Sequence, residues 1–214
     1  MKVHSLSPTS LELYHSCPYC FYLKYTGHPQ ETTEAMKFGI RLHSAVANYH
    51  KHGLFEFDED LQDYLDLYMQ EYTRDFQVCE EMWELPLFDT GITFKLKMDL
   101  IASDLLIEHK TSARPYSQAY VDMMRQLTAY SWAWGQLYQQ REKGIKVNVF
   151  IKEPKDDEAL LQTLETTRSA ADFRDWEAWA KEIVTGIEAD YFEPNEKGRY
   201  HNYSACQFYK DVQT

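Results

Sequence analysis

Apolar positions recur with two different periods along the chain, and the change from one to the other divides it. Ser7-Pro8-Thr9-Ser10 has the character of a helix start, with proline early and hydroxyls able to cap. The helix it opens runs through Leu11, Leu13 and Tyr14 and is expected to continue past Cys17-Pro18 into Phe21-Tyr22-Leu23, until Gly27 and Pro29 end it. Thr32 or Thr33 opens a second helix reaching His52, with Gly53 as its stop. A third is expected from Asp58 to Phe76, striped by Leu61, Leu65 and Tyr68.

From there the period shortens to two. Met82 to Leu87 reads as a strand, and Gly91 permits a turn. Between Phe94 and Leu100, Phe94, Leu96, Met98 and Leu100 share one face, while Lys95, Lys97 and Asp99 share the other. Ser103-Asp104 makes a tight connection to a strand over Leu105 to Lys110, so the pair forms a hairpin. Pro115 precedes one long helix to Glu142, ended by Gly144. Strands follow at Ile145 to Lys152 and Leu160 to Thr166, then a helix from Ala171 to Ala189 and an aromatic tail. This order predicts an α/β chain, a central mixed sheet flanked by helices with a helical N-terminal segment. It reads as a single domain over 1–214: a helical part at 1–78, sheet and crossing helix at 79–170, C-terminal helix and tail at 171–214.

Composition adds less than it first promises. Hydrophobic residues at 44% supply a real core, and no apolar run reaches the length of a membrane span. With no secretory signal and only Cys17, Cys20, Cys79 and Cys206, a reducing, cytoplasmic setting is expected. The net charge of −12 argues against a nucleic-acid partner only until it is located. Eleven acids against Arg74 alone lie between Phe55 and Leu85, so that stretch holds −10 and the rest of the chain is nearly neutral.

The hairpin carries the chemistry. Glu108 and Lys110, two apart, project from the same strand face, and Leu105, Ile107 and His109 take the other. Asp99 is likewise opposite its own apolar row, so the hairpin can gather Asp99, Glu108 and Lys110 on one side. Two carboxylates make a hard oxygen site for a divalent cation, and an adjacent lysine can orient water and offset developing charge. The same three residues also fit an ordinary surface hairpin with solvated charges. Two carboxylates crowded on one face predict that neutralising either is neutral or slightly stabilising for the metal-free fold. Gly39 permits close approach before His43 on the second helix, and Gln126 and Tyr130 stand one turn apart on the long helix. No P-loop, HExxH, GxSxG or dinucleotide fingerprint is present.

Taken in order, Ser7 to Leu11, Cys17 to Leu23, Gly39 to His43, Asp99, Glu108-His109-Lys110-Thr111 and Gln126 to Tyr130 resemble the RecB-like branch of the PD-(D/E)XK nucleases. That branch includes phage-type and CRISPR-associated exonucleases. The resemblance implies a restriction-endonuclease-like core that hydrolyses DNA phosphodiesters with Mg²⁺ or Mn²⁺, in phage or prokaryotic recombination, repair or CRISPR adaptation, with proteins of those processes as partners. A non-catalytic DNA- or partner-binding module on the same fold is the alternative. The resemblance implies that His43, Asp99, Glu108 and the His109 carbonyl bind metal and that Lys110 is the catalytic lysine. Gln126 and Tyr130 would contact DNA backbone or position that lysine, and Thr111 would lie along the nucleic acid. An imidazole among the carboxylates shifts preference toward Mn²⁺.

The chain departs from the family twice. Lys97 stands where relatives often have glycine, two residues before the aspartate. Many relatives also hold a [4Fe–4S] cluster on four cysteines, of which only Cys17 and Cys206 have counterparts, so no cluster is expected. Cys17-x2-Cys20 with Cys206 and His201 has donors for zinc, and plain structural cysteines fit as well.

Overall fold

The computed structural model describes residues 1–28, 32–53, 57–72, 78–152 and 159–195. Cys206 and His201, and with them any zinc or cluster role in the tail, lie outside the described residues. In chain order the elements are β1 (Ser5–Leu6), α1 (Pro8–Ser16), α2 (Pro18–Tyr25), α3 (Glu34–His52), α4 (Gln62–Glu71), β2 (Val78–Pro86) and β3 (Thr93–Ala102). They continue with β4 (Leu105–Ser112), α5 (Gln118–Asp122), α6 (Arg125–Tyr138), β5 (Gly144–Ile151), β6 (Leu160–Thr166) and α7 (Ala170–Glu188). The described residues form two compact units, one from those within 1–32, 84–96 and 170–195, the other from those within 33–83 and 97–169.

In the first unit, Ser7 caps α1 through a capping box with Ser10, and Pro8 occupies the first turn, where its missing N–H is not needed. The expected single helix through Leu23 breaks at Cys17, which is extended at φ −161°. Pro18 disfavours the helical conformation in the residue before it and then starts α2. The Cys17 thiol accepts from the Cys20 N–H at 3.4 Å, so this Cys-Pro pair caps a helix. β1 pairs in parallel with the start of β3, Ser5 opposite Thr93 and Leu6 opposite Phe94. Phe94 packs against Trp176 of α7, ring centroids 5.8 Å apart.

The second unit holds the functional hairpin. Here the sheet runs β3-β4-β5-β6: β3 and β4 antiparallel, β4 and β5 parallel, β5 and β6 antiparallel, a mixed sheet as expected. Ser103 and Asp104 both adopt positive φ, 51° and 70°, the two-residue turn whose twist matches the strands it joins. The paired register runs from Ala102↔Leu105 to Leu100↔Ile107. On the face of Leu100, Ile107 and Phe150, α3 contributes Phe38, Leu42 and Val46, and α4 contributes Leu65 and Tyr68, one continuous core. α3 keeps its predicted bounds, from the Thr33 cap to Gly53 at φ 75°. α4 is shorter than the expected Asp58 to Phe76; Asp58 instead bonds the Asp60 N–H at 3.1 Å in a turn before it.

The long helix expected from Pro115 to Glu142 is two helices, α5 and α6, broken at Met123-Met124, and α6 ends at Gln139 in the left-handed region. Arg168, 6% exposed just after β6, explains the break. Its guanidinium donates to the carbonyls of Val121 (3.0 Å) and Met124 (3.3 Å), each of which also accepts a backbone N–H at the junction, and to Thr128 Oγ1 (2.8 Å). Arginine is suited to this because it offers five donors in a rigid fork. Replacing Arg168 with Met removes the charged donors that bridge Val121, Met124 and Thr128 across the break. The expected loss is about 3 kcal/mol of stability, measured by denaturant unfolding; a loss under about 1 kcal/mol would show that the break does not depend on the guanidinium.

Candidate active site

All the residues expected at the catalytic centre lie within the second unit. The register places Leu100 and Ile107 in the core, so their neighbours Asp99 and Glu108 fall where the hairpin ladder gives out. There the His109 N–H on β4 donates to Asp99 Oδ2 at 2.8 Å. The other oxygen, Oδ1, lies 3.2 Å from His43 Nδ1 on α3. Burial alone would raise the Asp99 carboxyl, but the hydrogen bond and charge of His43, reinforced by His109, hold it below its ordinary value. For His43 the balance is reciprocal: burial pulls it down, and the Asp99 contact lifts it above the usual imidazole range.

Glu108 is 2% exposed. Its Oε1 accepts from Lys110 Nζ at 2.6 Å and Gln126 Nε2 at 3.0 Å, while Oε2 is buried with no protein hydrogen-bond partner. Burial, and then the charge of Asp99, push this carboxyl up. Burial would depress the Lys110 ammonium, but the adjoining Glu108 charge outweighs it and keeps the lysine protonated. Gln126, one residue into α6, closes the group: its Oε1 accepts from Lys110 Nζ at 2.7 Å and its Nε2 donates to Tyr130 Oη at 2.6 Å. Tyr130 is 4% exposed and donates to the Lys97 carbonyl at 3.1 Å, so it positions Gln126 from within the core.

Lys97 thus serves through its backbone carbonyl, and its ammonium pairs with Glu80 at 2.7 Å, both side chains on the same cavity as Asp99. The His109 ring lies on the core side, where burial lowers its pKa to about 4 and leaves it neutral. Asn148 Nδ2 lies 3.3 Å from its Nδ1, and the Tyr68 hydroxyl 3.4 Å from its Nε2. These two partners fix the backbone segment between Glu108 and Lys110, yet nothing in their sequence positions announces it. Cys17 and Cys20 belong to the other unit, buried at the start of α2.

A cavity of about 620 Å³ opens beside His43 and Asp99, with Gly39, Thr111, Met36 and Ile40 in its wall. The expected close approach at Gly39 is present: a Cβ there would come within 3.1 Å of Thr111 Oγ1. Among the described residues no three His, Cys, Asp or Glu side chains form a ready metal-holding group. The donor chemistry nevertheless fits a hard cation carried by one or two carboxylates, with water and phosphate oxygens completing its shell. Glu108 Oε2, buried and without a protein hydrogen-bond partner, is an acceptor left for such a cation.

A mixed sheet whose hairpin sets an aspartate against Glu-x-Lys, with a glutamine delivered by α6, is the frame of a PD-(D/E)XK core. The family model for the PD-(D/E)XK nuclease superfamily matches residues 5–208, and the chain belongs to that superfamily. A candidate exonuclease from Eubacterium rectale has a similar crystal structure, with a TM-score of 0.62 at 12% identity over 94% of this chain and 88% of that one. A phage-related exonuclease from Haemophilus somnus gives a TM-score of 0.37 at 12% identity, over 89% of this chain and 96% of that one. No curated protein matches the chain significantly in sequence. No described helix is long and apolar enough to cross a membrane.

The Gly39 contact generates a test of how tightly α3 is seated. Alanine in a helix interior is ordinarily about 1 kcal/mol better than glycine. Gly39→Ala should yield no such gain, because the new methyl meets Thr111. Paired with Thr111→Ala, it should recover the gain, a positive coupling read from a double-mutant cycle of melting curves. Full stabilisation by Gly39→Ala alone would show that α3 has room to spare.

Proposed function

We infer that the protein is a divalent-metal-dependent deoxyribonuclease that works from DNA ends. The observation that carries this reading is the buried Glu108 carboxylate, held on one oxygen by Lys110 and Gln126 and left open on the other. Glu81 and Glu142 also bury an oxygen without a partner; what sets Glu108 apart is that its carboxyl feels the charge of Asp99 and pairs with Lys110, a grouping that a cation would complete. Asp99 and Glu108 would hold the cation, with His43 and the His109 carbonyl beside them. When bound, the cation supplies Lewis-acid activation of water and of the scissile phosphate. Mn²⁺ should serve at least as well as Mg²⁺, given the imidazole.

The chain's own residues account for the rest. Lys110 Nζ, clamped between Glu108 and Gln126, keeps a positive charge where the phosphate becomes more negative, and its fixed geometry avoids reorganisation during the reaction. Gln126 prevents the lysine from folding wholly onto Glu108, and Tyr130 holds Gln126 in that position. Asp99, locked by the His109 N–H, ties α3 to the hairpin.

The two carboxylates are not equivalent in the fold. Glu108→Gln removes a charge that burial opposes and should be neutral or slightly stabilising without metal. Asp99→Asn replaces an acceptor that holds His43 and the His109 N–H, and it should destabilise by about 1–3 kcal/mol. This corrects the expectation that neutralising either carboxylate would be harmless. Both variants, and Lys110→Met, should lose at least about a hundredfold in cleavage rate. Mn²⁺ should raise the melting temperature of the wild type and of Lys110→Met, but not of Asp99→Asn. Linear DNA should be degraded while a closed circle survives. Wild-type cleavage by Glu108→Gln would remove the hydrolytic reading of this site, and rapid opening of circles would replace the exonuclease with an endonuclease.

A further inference from the structure

Between β4 and α6 the chain exposes a surface that the catalytic group does not use. Tyr116 and Tyr120 meet edge to face with centroids 4.8 Å apart. Tyr120 is 39% exposed, and Met123, at the end of α5, is 73% exposed. Large apolar side chains left in water at this level are unusual when grouped, and the half-buried Tyr116 ring backs the exposed one of Tyr120. The segment is pinned rather than loose. Gln162 on β6 brackets the Tyr116 backbone, accepting from its N–H at 2.8 Å and donating to its carbonyl at 2.9 Å.

The same contacts place this surface beside the catalytic lysine. Lys110 pairs with Val149 across β4 and β5, and Val149 pairs with Gln162 across β5 and β6, so one row of the sheet leads from Lys110 to the Tyr116 anchor. Tyr116 is close enough to the Lys110 ammonium to contribute to its electrostatics. Beyond Met123 the chain enters α6, whose Gln126 bonds Lys110. Charge agrees with position. Beyond the Lys110–Glu108 pair, the segment to Gln126 carries Arg114 and Arg125 against Asp122 alone, in a protein of net charge −12.

We propose that Tyr116, Tyr120 and Met123 form a stacking platform for unpaired bases, which makes single-stranded DNA, or a strand peeled from a duplex end, the preferred substrate. Aromatic rings with flanking cations grip single strands because every base has a face to stack and every linkage a phosphate. In a duplex those faces are already covered. The proposal rests on the nuclease reading of the Lys110 site and adds to it which form of DNA is led there.

The test separates the two. Binding of a fluorescein-labelled oligothymidylate, and of the blunt duplex it forms with oligoadenylate, is measured by anisotropy in EDTA, so that no cleavage intervenes. The wild type should bind the single strand at least about tenfold more tightly, since stacking contributes about 1–3 kcal/mol per base. Tyr120→Ala and Met123→Glu should each weaken single-strand binding about fivefold or more and leave the weak duplex binding alone. Tyr120→Phe should bind as the wild type does. Unchanged single-strand affinity in both disruptive variants, or a wild-type preference for duplex, would overturn the platform. The nuclease reading is judged separately by wild-type hydrolysis of bis(p-nitrophenyl) phosphate with Mn²⁺, a phosphodiester with no base to stack. A protein that fails there yet loses single-strand affinity on Tyr120→Ala keeps the platform and loses the catalytic reading.

Discussion

Glu108 keeps a carboxylate where water does not reach, and most of what surrounds the site exists to make that tolerable. An unpaired buried charge of this kind would neutralise itself by taking up a proton. Here Lys110 supplies the opposite charge at 2.6 Å and Gln126 a second donor at 3.0 Å, so one oxygen is fully engaged. Gln126 can do this only because α6 starts where it does. That start follows from the break after α5, which Arg168 bridges from the end of β6. A chain of dependence thus runs from a single arginine after β6 to the ammonium at the centre of the site.

The core face of the same hairpin is bound by different forces. Leu100, Ile107 and Phe150 pack against α3 and α4, and the neutral His109 ring sits among them between Asn148 and Tyr68. His109 belongs to both halves: its ring to the core, its N–H to Asp99. Apolar packing therefore sets the height at which the aspartate is held, and the site inherits its precision from the interior.

Much of this could be read before any coordinates, because period-two alternation and the Ser103-Asp104 pair specify a hairpin and its faces almost alone. The α3 boundaries were equally plain, with a threonine cap at one end and Gly53 at the other. The gathering of Asp99, Glu108 and Lys110 followed from strand parity, and the family resemblance added Gln126 to them. What escaped was everything fixed by distant partners. The break at Met123-Met124 has no proline or glycine to mark it; it needs Arg168, more than forty residues away by chain number. The split at Cys17 had its proline in view, but the aromatic run beyond looked like a continuing stripe. Asn148 reads as an ordinary strand residue until the ring it faces is known, and Tyr130, expected on the DNA or behind the lysine, is buried away from any DNA and bonded to the Lys97 carbonyl.

The hairpin turn holds a last consequence, for how such a site can drift over generations. With only Ser103 and Asp104 between the strands, the alternation of β4 is counted from a fixed origin. Composition between the turn and Glu108 is free to vary, since any apolar residues at the core positions will serve. Length is not. Adding or removing one residue there would turn the carboxylate and the lysine into the core and offer the histidine in their place. Among descendants of this sequence that still work, the letters around the motif are free to change, but the spacing from turn to glutamate is not.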